Sequence, residues 1–161
     1  MKKYLSVLVV IAIFTCLSCK DKIDKAKEAD AIQAVIEGEI NASFNGDYDT
    51  WTSFFIHEPY VVWMQAWKEG YACMKGWQEV SDSMKNYVKP ERKGSMIYNG
   101  IYDYTIKSYG SGAFVSFKCK STMISEGQST QLESWETRLL ENQGTNWKIA
   151  YLSTIYPSTY K

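Results

Sequence analysis

His57, Asp103 and Glu133 are the side chains in this sequence best suited to act as a general base. His57 is the only histidine and stands beside Glu58. An unperturbed imidazole changes charge near neutral pH, which suits proton transfer. Asp103 sits among Tyr98, Tyr102 and Tyr104, and Glu133 comes two residues before Trp135. Enolisation next to a carbonyl needs a carboxylate base in an apolar pocket and an acidic donor facing the developing oxyanion. Glu133 or Asp103 suits the first role, and Tyr102, Tyr104 or Tyr151 the second. Consecutive strand residues point to opposite faces, so Glu58 need not orient His57, which reads better as a residue lining the mouth of a pocket. One histidine and scattered thiols offer no metal-ligand spacing, and no nucleophile elbow, phosphate loop or dinucleotide fingerprint occurs. No cofactor and no metal is expected.

The elements that must position these residues fall into two halves. From residue 97 to 156, four apolar-rich stretches (97–109, 113–124, 131–141 and 146–156) are separated by Gly110-Ser111-Gly112, Ser125-Glu126-Gly127 and Asn142-Gln143-Gly144. Short glycine-bearing breaks between such runs read as consecutive hairpins of one antiparallel sheet. Before them, Ile32, Val35, Ile36, Ile40 and Phe44 recur at helical spacing, predicting a helix over 29–45 that ends at Gly46. Asp47 suits the cap of a short second helix carrying Trp51, Phe54 and Phe55. A hairpin follows, with strands at 60–64 and 71–74. Gly76 then opens a third helix bearing Trp77, Val80, Met84, Tyr87 and Val88, which Pro90 stops. Helices gathered on one face of an antiparallel sheet of about six strands make an α+β domain.

Length, charge and the first residues bound the rest. The chain of 161 residues suits one domain with a core of its own. Its 18 basic and 18 acidic residues balance, and its aromatics lack a basic groove, which argues against a nucleic-acid partner. Lys2-Lys3, an apolar run from Tyr4 to Leu17 and Leu17-Ser18-Cys19 form a targeting segment too short to span a bilayer as a helix. Ser18 directly before Cys19 resembles a bacterial lipobox. That resemblance implies cleavage after residue 18, lipid on Cys19 and a membrane-anchored place in the bacterial cell envelope. Cysteine at position 16 departs from the usual leucine; cleavage before Cys16, an uncleaved anchor and plain secretion stay open as alternatives. Residues 19–28 then read as a lipidated cysteine with a charged tether, and 29–161 as the folded domain. Cys73 and Cys119 either pair or act as two apolar thiols.

The ordered set of Asn45-Gly46-Asp47, the aromatic helix around Trp51, His57-Glu58-Pro59-Tyr60-Val61, Gly76-Trp77, Trp135-Glu136 and Gly144-Thr145-Asn146-Trp147-Lys148-Ile149 resembles the nuclear transport factor 2-like superfamily, and within it the SnoaL-like and ketosteroid-isomerase-like proteins. The resemblance spans roughly residues 29–157 and implies a cone, a strongly curved sheet whose concave side three helices close over a pocket. It also implies isomerases, cyclases, hydrolases and dehydratases among the relatives, beside non-catalytic binding and association modules, so the fold alone leaves function open. Many SnoaL-like relatives carry a histidine near the place of Ser153, and its absence here weakens an acid–base mechanism.

Alternation assigns side chains to the concave face. It points Gln131, Glu133, Trp135, Thr137 and Leu139 inward, together with Trp147, Ile149, Tyr151, Ser153 and Ile155. It does the same for Val115, Phe117, Cys119 and Met123, and favours Tyr98, Tyr102, Tyr104 and Ile106 over Ile97, Ile101 and Asp103. The expected pocket is therefore aromatic, built from Trp63, Tyr102, Tyr104, Phe117, Trp135, Tyr151 and Ser153, with Glu133 at its polar point. Such a pocket fits a small hydrophobic molecule as partner. Plain core packing and an enzyme using Glu133, Asp103 or His57 are the competing readings. The outward set Phe114, Leu132 and Leu140 permits a homodimer.

Overall fold

The computed structural model describes residues 25–144 and 146–157. The expected signal segment, Cys19 and the beginning of the tether lie outside the described residues. Among these residues no helix is long and apolar enough to cross a membrane.

Helix α1, Lys25–Asn45, buries Ile32, Ile36 and Ile40 on one stripe. It begins earlier than the expected residue 29, so the end of the charged tether is helical. There the Ser108 hydroxyl donates to the Glu28 carboxylate at 2.6 Å and ties the helix start to the sheet. Gly46 takes φ +68°, with the backbone carbonyl of Lys89 2.3 Å from where a Cβ would stand. Asp47 caps α2, Tyr48–Thr52, by accepting from the Thr50 amide at 3.1 Å. α3 covers Trp77–Lys85, and a 3-10 turn, Pro90–Arg92, leads into the main sheet. The Tyr48 hydroxyl lies 2.6 Å from that of Ser81, joining α2 to α3.

Six strands follow one another as β1 Val62–Trp67, β2 Gly70–Lys75, β3 Met96–Ser108, β4 Gly112–Ser125, β5 Gln128–Gln143 and β6 Asn146–Ile155. Their order across the sheet is β2-β1-β6-β5-β4-β3, open at both edges. The α+β cone expected from the sequence is present, but the sheet is mixed rather than wholly antiparallel, because β1 pairs parallel to β6. The cause lies just upstream. The Ile56 amide donates to the Ile149 carbonyl and the Ile149 amide to that of Phe54, so this segment already runs parallel to β6. β1 continues along the same track.

Three irregularities bend the sheet round α1. β3 is out of register with β4 between Tyr98 and Gly100 and again between Tyr102 and Thr105, where Asp103 takes φ +60°. β6 gains Ala150 opposite the Leu139–Leu140 step of β5. Each added residue inverts the alternation beyond it. The inward residues are consequently Tyr98, Ile101, Tyr104 and Ile106 on β3, with Val115, Phe117, Cys119 and Ser121 on β4. On β5 they are Ser134, Glu136, Arg138 and Leu140; on β6, Trp147 and Ile149 before the bulge, then Leu152 and Thr154.

Several face assignments are thereby corrected. Trp135 and Leu139 are 47% and 44% exposed on the outer face, and Ile155 is exposed beside them. Tyr151 and Ser153 pair with Leu139 and Thr137, so they too belong to the outer face. Tyr102 pairs with Lys118 and also lies outside, while Met123 is exposed near the β4–β5 turn. Leu140, expected outside, is buried. Cys73 is exposed and Cys119 buried on the inner face, and both are free thiols.

Candidate functional site

The inner face of β5 presents a guanidinium where the alternation had promised rings. Residues two apart on a strand share a face, so Ser134, Glu136 and Arg138 all turn toward α1. Position 39 stands three residues after Ile36 and seven after Ile32, on the stripe the helix buries, and it carries a glutamate. Arg138 Nη2 donates to Glu39 Oε2 at 3.0 Å, and Nη1 donates to Glu136 Oε2 at 2.9 Å. The three side chains are only 4%, 6% and 3% exposed, in the order Glu39, Glu136, Arg138.

Other groups complete this network. Trp51 Nε1 donates to Glu39 Oε1 at 3.0 Å. The hydroxyls of Ser134 and Thr154 donate to Glu136 at 2.6 and 2.7 Å. Nη1 also reaches the carbonyls of Thr137 and Ser153 at 3.2 and 3.4 Å. Phe117 lies beneath, its ring centre 5.3 Å from the guanidinium carbon. Burial alone would push Arg138 down; the carboxylates of Glu39 and Glu136 outweigh it, and the net shift is upward. Only Arg138 Nε, sealed from solvent, lacks a partner within this trio.

Above the network, under α1, the cone keeps a cavity of about 80 Å³. Its polar lining comes from Glu39, Glu136, Arg138, Ser134, Thr154, Ser121, Gln65 and Ser43. Ile40, Phe44, Trp63, Met84, Met96 and Leu152 supply apolar wall. Tyr87, Cys119 and Tyr156 complete it. Burial pushes the Cys119 thiol up to about 12. It likewise raises the Tyr156 phenol above its ordinary range, with Glu136 adding to the effect. A second hollow of about 30 Å³ shares Ser43, Phe44, Tyr87 and Met96 with the cavity and adds Arg92 and Ser95. Tyr87 is 37% exposed there, with the Arg92 guanidinium 4.0 Å over its ring, so this end forms the mouth.

The bases read from the sequence stand elsewhere. Tyr102 does donate to Glu133, so that carboxylate and phenol meet, but on the outer face. Asp103 is exposed and paired with Lys118 at 3.1 Å. His57 stacks on Trp77 at 4.0 Å, lies 3.0 Å from the Thr52 carbonyl and borders an open cleft with Glu58, Gln143 and Lys148. Of the seven expected pocket residues, Trp63 lines the cavity; Tyr104 and Phe117 pack together in the core at 5.3 Å. Tyr102, Trp135, Tyr151 and Ser153 are on the other side of the sheet. The sequence reading missed Glu39, Glu136, Arg138 and Tyr156. Glu39 had a visible signal, a charge on an otherwise apolar helical stripe. Among the described residues no three His, Cys, Asp or Glu side chains converge as a metal site would need.

A bent open sheet closed by three helices over a hollow is the cone of the nuclear transport factor 2-like fold. Solved structures agree with this. A candidate dehydratase of the NTF2-like family from Streptomyces avermitilis superposes with TM-score 0.72 at 13% identity, covering 82% of this chain and 97% of that one. An NTF2-like superfamily protein from Salmonella enterica serovar Typhimurium gives 0.66 at 15%, covering 85% and 96%. The association domain of C. elegans CaMKII gives 0.64 at 17%, covering 81% and 96%. No curated protein sequence matches the chain. The SnoaL-like domain model matches residues 32–157, and the chain belongs to that family.

Proposed function

We propose that this protein holds a small molecule inside its cone, with the apolar body of the guest against Ile40, Phe44, Trp63, Met84 and Leu152 and a polar group toward Glu39, Arg138 and Glu136. The carrying observation is a cavity of about 80 Å³ with an ion network as its floor. Typical drug-sized pockets enclose about 300 Å³ or more, so the guest is small and largely hydrophobic rather than polycyclic. An isomerase or dehydratase role is the weaker reading. Its expected bases lie away from the cavity, and the carboxylates within it already accept hydrogen bonds from Trp51, Ser134, Thr154 and Arg138.

The chain's place follows from its first residues: we infer a lipid on Cys19 and attachment to a membrane of the bacterial envelope. Cys19→Ser should move the protein from the membrane fraction to the soluble fraction, and a variant that stays membrane-bound would remove this part. Guest binding is tested by thermal shift and tryptophan emission with small neutral alcohols and ketones. A flat response to that panel and to charged molecules of the same size would sink the binding role.

A second reading, self-association, is favoured by one outer-face row. Tyr71, Ala66, Ile155 and Trp135 stand in register across four strands, and Ile155 and Trp135 are exposed. The solved CaMKII association domain shares the fold, and this supports the homodimer reading.

A further inference from the structure

We propose that the guest's polar group is a cation, so that the cavity selects small primary amines over alcohols and carboxylic acids of the same skeleton. This deepens the binding role above and rests on it. Three observations lead there. Two carboxylates and one guanidinium form the buried floor, a formal charge of −1, and no other charged side chain lines the cavity. Opposite charges attract more strongly where water is excluded.

Second, the guanidinium is already engaged with protein oxygens, and its unpartnered Nε is too deeply covered to meet a guest. A carboxylate has about four acceptor positions. Glu39 uses two in the bonds to Trp51 and Arg138, and Glu136 three in those to Ser134, Thr154 and Arg138. About three acceptor positions then remain against one Nη2 hydrogen, so the floor's spare capacity is mainly for accepting, and an ammonium group supplies donors. Third, Phe44, Trp63 and Tyr156 bring three rings to the lining besides Tyr87, whose face Arg92 already covers at the mouth, and aromatic faces favour cations over anions.

The test uses the full chain and three probes with one branched skeleton: isopentylamine, isopentanol and isovalerate at neutral pH. Binding is read by NMR of methyl-labelled methionine, since Met84 and Met96 line the cavity whereas Met64 pairs with Ser153 on the outer face of the sheet. The amine should bind about tenfold or more tighter than the alcohol, shifting Met84 and Met96 but not Met64, with isovalerate inert. Glu39→Gln keeps the shape and removes one charge, and should bring amine and alcohol close to parity; Glu136→Gln serves if the first variant does not fold. An alcohol or isovalerate that matches the amine in the unmutated chain overturns the charge preference while leaving a binding role intact. Silence from all three probes overturns the preference, and silence from the neutral panel as well removes the binding role.

Discussion

Arg138 on β5 reaches across the interior of the cone to Glu39 on α1, Nη2 to Oε2 at 3.0 Å, and so joins helix to sheet by an ion pair under the main helix. Burying such a pair is expensive, and removing only one partner leaves an uncompensated charge that costs about 3–5 kcal/mol. Arg138→Met should therefore lower the unfolding free energy by that amount in a denaturant titration. Replacing Glu39 and Glu136 by leucine in the same chain should recover a good part of the loss. If the triple variant is no better than the single one, charge burial is not the cause.

Gly46 and Gly94 separate strain from crowding. Both have positive φ, +68° and +86°. Around Gly94 a Cβ would meet open space, whereas at Gly46 it would stand 2.3 Å from the Lys89 carbonyl oxygen. Gly94→Ala should cost about 1–2 kcal/mol from backbone conformation alone. Gly46→Ala should cost clearly more and pull the α1–α2 connection from the segment after α3. Equal losses in thermal unfolding would contradict this contact.

Cys119 sets a pH dependence. Its thiol moves from an ordinary value near 9 up to about 12 through burial, with Glu136 adding to the rise and Arg138 opposing it. Between these values the unfolded chain has released a proton that the folded chain still holds. Stability then falls as pH rises, by up to about 1.4 kcal/mol per unit. Below pH 9 both states keep the proton and the contribution is flat. Urea titrations from pH 8 to 10 should show this slope, and Cys119→Ala should flatten it. Tyr104 and Tyr156 shift the same way through burial, but from an ordinary value of 10, so their effects begin later.

The outer face and the cavity can be separated by mutation. Trp135→Lys with Ile155→Lys places two charges on the exposed row. If copies of the chain pair there, sedimentation should change from dimer to monomer. Thermal shift by cavity guests should stay as it was, because neither residue lines the hollow. Loss of guest binding together with the mass change would mean that the two faces are coupled.

The helices and turns were readable from sequence because they depend on local rules. Asp47 caps α2 as its type suggested, and the stripe of Ile32, Ile36 and Ile40 is buried as its spacing required. The side-chain faces were less accessible, since one inserted residue reverses every assignment after it. Ala150 did this on β6, and the irregularities around Asn99 and Asp103 did so on β3. On β5 no bulge was needed. Trp135, Thr137 and Leu139 are more apolar than Glu136 and Arg138, and the inference that apolar means inside failed because Glu39 waits across the cone as a partner. Pairing between α1 and β5 is long-range, and no local pattern announces it. The same holds for β1 beside β6.

That parallel pairing has a consequence for how the molecule is made. β1 is produced early and its neighbour β6 last, so the first hairpin has no lasting dock until the C-terminal strand has left the ribosome. Contacts this distant along a chain slow folding and favour assembly after synthesis rather than during it. Truncation within β6 should therefore unseat the opposite end of the sheet as well, leaving Trp63 without its wall.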